Sequence, residues 1–230
     1  AMLGGFDLTP FDPSSIPGLL VWLDFDPGRV ILHGSDIQGA SNRATPAKAF
    51  TPSGARGQWT AADPAYGNMP TGTYSNPSGG LGTPHGMIVP WPVTAFCRAN
   101  NGQNNQPIMG GLDDTGTLAW QLGRLGGAMQ LEVSSGVAMT WAAHTNPTPS
   151  TLCVEINRTG NTSTLWSDDP TTSVASGTGP GLKPTDLAFA CVCNGYGEVP
   201  QVVAEVLVYT GILTAAQRKS VMGYLTARYT

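Results

Sequence analysis

Asp24 and Asp26 stand two residues apart, the spacing at which a β-strand turns both carboxylates to one face. Two carboxyl groups roughly 5–5.5 Å apart would suit a retaining glycosidase, one as nucleophile and one as acid and base. This pair, however, immediately precedes Pro27, which marks a strand end. The chain has four glutamates, and none supplies a second acidic partner. Glu132 is followed two residues on by Ser134, Glu155 by Asn157 and Glu205 by Leu207, while Glu198 falls in a turn. His33, His85 and His144 lie in loop-like stretches, with no Gly-x-Ser-x-Gly or His-Glu-x-x-His motif to recruit them. These residues point away from catalysis.

Aromatic and polar residues suit recognition better. Sugars are held by flat aromatic faces against their apolar patches and by Asp, Asn and Gln on their hydroxyls. Trp120, Trp141 and Trp166 fall on successive central strands. Trp141 is followed by His144 and Trp166 by Asp168, while Asn194 and Tyr196 mark another strand end. Together these seven residues form the candidate glycan site. The competing reading places the tryptophans in the core. Asp113-Asp114 and Asp168-Asp169 are the candidate calcium ligands, although paired Asp in Gly-rich segments also serves turns.

Cys97, Cys153, Cys191 and Cys193 all sit in apolar, strand-like stretches. Cys191 and Cys193 would share one strand face, which disfavours a bond between them. The paired Cys-x₂₋₄-Cys knuckles of a four-thiolate zinc site are missing. Buried free thiols and a disulfide between neighbouring strands both remain compatible with the pattern.

The elements that would carry these residues are mostly short strands. Residues 1–16, broken by Pro10 and Pro13, read as an extended arm. A first strand covers 19–25, and residues 33–86 read as a long Gly-, Pro-, Ser- and Asn-rich loop region. Further strands are predicted at 87–98, 107–110, 118–122, 129–133, 138–142, 152–157, 162–166, 187–194 and 202–209, separated by turn signals. Thr214 and Gln217 form a capping box, and Val221, Met222, Leu225 and Tyr229 recur at helical spacing behind it. The pattern predicts an all-β, two-sheet antiparallel sandwich closed by one short C-terminal helix.

Two stretches resemble a known family. Gln201-Val-Val-Ala-Glu-Val-Leu-Val-Tyr209, a short turn, and a helix ending Tyr224-Leu-Thr-Ala-Arg-Tyr229 resemble the C-terminus of concanavalin A-like (laminin-G-like) jelly-roll domains. Ile16-Pro-Gly-Leu-Leu-Val-Trp-Leu-Asp24 is similar to the opening strand of that family, as it occurs in phage tail and virion proteins and bacterial surface proteins. The resemblance implies a single jelly roll over residues 17–230. The family's usual Val-x-x-Trp-x-Asp-x-Ser-Gly segment has no counterpart between Ile37 and Gly57. The Glu-x-Asp-x-x-Glu of the fold's glucanases is also missing.

Composition narrows the partners. With 11 basic and 15 acidic residues the chain carries a net charge of −4, and its cations are scattered, which excludes a phosphate-backbone binder. No apolar run approaches the roughly 18 residues of a membrane span. Charged residues are only 11%, a composition suited to close packing of copies. The expectation is therefore a non-enzymatic virion or cell-surface module, a homo-oligomer or part of a larger particle, with a lectin-like carbohydrate-binding module as the alternative.

Overall fold

A computed structural model describes residues 11–45, 48–53, 56–74, 80–82, 88–100, 106–112, 118–125, 128–133, 136–141, 149–157, 161–178, 187–192 and 201–230. Asp113, Asp114, His144, Cys193, Asn194 and Tyr196 lie outside that set, as do residues 1–10.

In chain order the strands are β1 (Leu19–Asp24), β2 (Val30–His33), β3 (Asp36–Ala40), β4 (Thr51–Ser53), β5 (Gln58–Asp63) and β6 (Met69–Tyr74). There follow β7 (Gly80–Gly82), β8 (Ile88–Val89), β9 (Val93–Asn100), β10 (Gln106–Leu112), β11 (Leu118–Leu125) and β12 (Ala128–Val133). The last six are β13 (Gly136–Trp141), β14 (Ser150–Asn157), β15 (Thr162–Ser167), β16 (Ala175–Thr178), β17 (Leu187–Val192) and β18 (Gln201–Thr210), ahead of helix α1 (Ala215–Arg228). They form two antiparallel sheets. The first runs β16-β15-β14-β9-β18-β6-β5-β3-β2, with β1 also paired to β18; the second runs β13-β12-β11-β10-β17-β7-β4, with β8 on β17. The all-β sandwich with one closing helix is the architecture that the sequence predicts.

Strand β18 is the axis of the first sheet. One edge pairs with β9 along most of its length; the other is shared between β1 and β6. Its side chains are buried on both sides. Val203, Val206 and Val208 join Val21, Leu23, Cys97, Val154, Trp120 and Leu131 between the sheets. Ala204, Leu207 and Tyr209 face outward, where α1 covers them with Val221, Met222, Leu225 and Tyr229. A sheet buried on both faces needs apolar residues at successive positions, which explains why β9 and β18 read as unbroken apolar runs.

The two family-like stretches meet here. Gly18 has φ +89°, and a Cβ on it would come within 2.7 Å of the Thr210 carbonyl oxygen. Only glycine fits. Its own carbonyl accepts from Thr210 N–H at 2.8 Å, which sets β1 in register on β18.

Three expectations change. Residues 33–86 do not form a long loop: they hold β3 to β7. These strands are short, β5 is largely exposed and β7 is a buried Gly-Leu-Gly, so no alternation was available to read. The strand expected over 87–98 is divided into β8 and β9 around Pro90 and Pro92, which cannot donate to a ladder. Residues 11–16, read as part of an extended arm, fold onto the outer face of the first sheet. Asp12 caps a 3-10 turn at Pro13–Ser15, Ile16 is buried, and Tyr209 Oη donates to the Pro13 carbonyl at 3.1 Å.

Helix α1 begins as its residues dictate. The Gln217 N–H donates to Thr214 Oγ1 at 3.2 Å and Thr214 N–H to Gln217 Oε1 at 2.9 Å. Thr214→Ala is expected to cost about 0.5–2 kcal/mol through loss of this cap. Leu225→Ala, at a fully buried position, is expected to cost about 2–5 kcal/mol. Urea denaturation of both variants checks the order and size.

Candidate functional site

The three tryptophans do not line one surface. Trp120 is 1% exposed and points between the sheets, and half-buried Trp141 packs against the same core. Trp166 lies on the outside of the first sheet beneath α1, with the Arg218 guanidinium 3.9 Å above its ring. Strand parity is the reason. Trp120 is paired with Val133 on the core side of the second sheet, whereas Trp166 is opposite Cys153 on the helix side of the first.

Of the candidate calcium ligands, the described pair Asp168 and Asp169 bonds within the chain itself. Asp168 Oδ1 accepts from Thr151 N–H at 2.7 Å and stands 3.5 Å from Arg98. Asp169 accepts from the Thr171 hydroxyl and N–H, and those bonds hold its carboxyl below its ordinary range. Among the described residues no three of His, Cys, Asp or Glu converge on a common point. Cys97 and Cys153 are free and buried, one in the sheet interface and one on the helix side; burial pushes the Cys97 thiol up to about 12.

A carboxylate pair that the sequence did not reveal lies on β1 and β18. Asp24 and Glu205 are direct cross-strand partners, which puts their Cβ atoms about 5 Å apart. Both are fully buried. Arg43 bonds Asp24 at 2.6 Å and stacks 3.6 Å over Trp22, whose indole N–H donates to Glu205 at 2.6 Å. Glu205 also accepts from Tyr224 Oη at 3.0 Å and Tyr229 Oη at 2.8 Å, with Arg228 at 3.5 Å. Asp26, expected to share a strand face with Asp24, lies just past the end of β1 and holds Arg228 through both oxygens at 2.8 Å. These carboxylates build the scaffold.

Above this network, a groove of about 860 Å³ runs along α1, lined by Phe11, Met69, Gly223, Tyr224 and Ala227. Phe11 and Tyr224 meet edge to face at 6.1 Å. The groove is largely apolar: of its polar lining, Asp26 and Arg228 hold each other, Tyr224 bonds Glu205 and Ser220 bonds the Ala216 carbonyl, and Lys219 also lines it.

The opposite side of the molecule is different. Along β12 the burial alternates, with Met129, Leu131 and Val133 inward and Gln130 and Glu132 outward. Register places Gln121 beside Glu132, and Gln130 between Gly123 and Thr140. Gln121 Nε2 donates to Glu132 Oε2. Gln130 and Thr140 make no side-chain hydrogen bond among the described residues. Gly110, opposite Gln121 on β10, cannot carry a side chain, because a Cβ would meet the Trp120 carbonyl at 2.6 Å. The four polar side chains therefore form a patch roughly 7 by 10 Å across three strands. The period-2 alternation of 129–133 is the sequence signal that could have found it.

No family model matches the sequence, and no curated protein matches it. Solved structures do match in fold. The chain superposes on a Trypanosoma rangeli sialidase mutant with trans-sialidase activity at TM-score 0.62 and 10% identity, covering 93% of this chain and 34% of the sialidase. It thus spans about a third of that enzyme. Domain 4 of AbnA, an extracellular GH43 arabinanase from Geobacillus stearothermophilus solved with arabinotriose, matches at 0.60 and 15% identity, over 93% of this chain and 98% of that one. The binding domain of botulinum neurotoxin serotype D matches at 0.60 and 7% identity, over 90% and 51%. At these identities the likeness shows the β-sandwich fold that these proteins share.

The buried network has a pH signature. Burial, with Asp24 opposite, lifts the Glu205 carboxyl to about 7 against the hydrogen bonds and the Arg228 charge that oppose it. A carboxyl raised in the folded state binds more protons there than in the unfolded chain. Its contribution is therefore full below about 4.5 and is lost as pH rises through about 7, a span worth about 3 kcal/mol. Denaturation at pH 5 and pH 8 is expected to show the protein weaker at pH 8, and Glu205→Gln to flatten that slope.

Proposed function

We propose that this domain is a carbohydrate-binding module that acts by holding a glycan on the outer face of its second sheet. The observation that carries the reading is the Gln121–Glu132 pair flanked by Gln130 and Thr140. Sugar hydroxyls donate and accept at once, and this patch offers both kinds of partner with hydrogen-bonding capacity unspent. The helix groove has aromatic walls but little spare polarity, which suits a sugar less well. The fold is compatible, since the similar AbnA domain was solved with an oligosaccharide. That likeness also favours this reading over one as a virion building block.

The placement of the described acids supports a reading as binding rather than turnover. Asp24 and Glu205 are sealed beneath α1, and Asp26 is tied to Arg228. A glycan array, followed by calorimetry on the best ligand, tests the proposal. Gln121→Ala and Glu132→Ala are each expected to weaken binding about tenfold or more, since a hydrogen bond to a charged or buried polar group is worth about 1.5 kcal/mol or more. Phe11→Ala, in the groove, is expected to leave binding unchanged, and a chelator is expected to have no effect. Full binding by Gln121→Ala and Glu132→Ala together would remove the face from consideration.

A further inference from the structure

We infer that this face selects uncharged glycans and turns away acidic ones. The inference rests on the carbohydrate-binding reading and adds the class of ligand. The only ionisable side chain placed on the patch, among the described residues, is Glu132. Its Oε2 is occupied by Gln121 Nε2, so its other oxygen is left to accept from a ligand hydroxyl. The carboxylate of a uronate or sialate is an acceptor only. Set against Glu132 it would find a second anion where a hydroxyl would find an acceptor, and two like charges a few ångströms apart repel.

Among the described side chains, four arginines that could reverse this preference are committed elsewhere. Arg43, Arg98, Arg218 and Arg228 all serve the helix side of the first sheet, paired with Asp24, Asp168, Glu155 and Asp26 respectively. On the patch itself, Gln121, Gln130 and Thr140 supply neutral donors. A neutral amide donates to a sugar hydroxyl well, but it does not offset the carboxylate beside it as an arginine fork would. The net charge of −4 acts in the same direction at longer range.

The test uses matched pairs of oligosaccharides, each a neutral chain and its uronate- or sialate-bearing counterpart, titrated at low and high salt. Neutral members are expected to bind at least tenfold more tightly. Glu132→Gln keeps the size and an acceptor but removes the charge. It is expected to narrow that gap severalfold while circular dichroism remains that of the parent. Raising the salt is expected to narrow the gap for the parent more than for Glu132→Gln. Acidic members binding as tightly as their neutral partners, or a gap that Glu132→Gln leaves intact, would overturn the inference while the carbohydrate-binding reading stands. Binding to no member of any pair would defeat both.

Discussion

A single carboxyl group, Glu205, sets the terms for much of this structure. It lies at zero exposure in the central strand of a doubly covered sheet, directly opposite Asp24. Like charges in facing positions are destabilising, and an uncompensated buried carboxylate costs several kcal/mol. Each acid is met by its own arginine: Arg43 for Asp24 and Arg228 for Glu205. Trp22 joins the two halves, with Arg43 over its ring and its N–H on Glu205. The donors come from β1, from α1 and from Tyr229 just past it, so the carboxyl is satisfied only when both ends of the chain have docked. A network of this kind contributes more to specifying one arrangement of the ends than to net stability.

The same network explains why the helix is where it is. Tyr224, Arg228 and Tyr229 reach the first sheet because α1 lies across it on Val221, Met222 and Leu225. Arg228 then carries the contact on to Asp26, beyond the end of β1. An amphipathic helix of 14 residues would be marginal alone. Here its apolar stripe and its capping box act together with one charged anchor at its C-terminal end.

The parts of this architecture legible in the sequence are those governed by local rules. Thr214 and Gln217 announce a cap whatever surrounds them, and β18 is β-branched and apolar over its whole length. Gly18, in a left-handed conformation against Thr210, is the kind of glycine that a recurrent opening motif exposes. What sequence could not show depends on which face each strand turns to the core. Trp120, Trp141 and Trp166 all sit on strands, yet parity and sheet membership send two toward the interface and one beneath the helix. The Asp24–Glu205 pairing spans 181 positions and follows from register alone. The strands within 33–86 were hidden because they are short and several carry Gly or Pro, so that no hydrophobic period builds up.

The two sheets differ in what the described residues place on their outer faces. The outer face of the first sheet carries α1, the 3-10 turn at Pro13–Ser15 and the carboxylate contacts of four arginines. No described residue packs in this way over the outward side of β11, β12 and β13, where Gln121, Gln130 and Glu132 are half-buried and Thr140 is exposed. They are nonetheless not a random polar surface. Gln121, Gln130, Glu132 and Thr140 cluster where three strands run side by side, next to a glycine whose backbone tolerates no side chain. A rigid sheet fixes their spacing at little entropic cost on binding, because the backbone is already ordered by the core beneath it. Trp120 and Trp141, packed inward from β11 and β13, anchor to the core the same strands that carry these polar side chains outward.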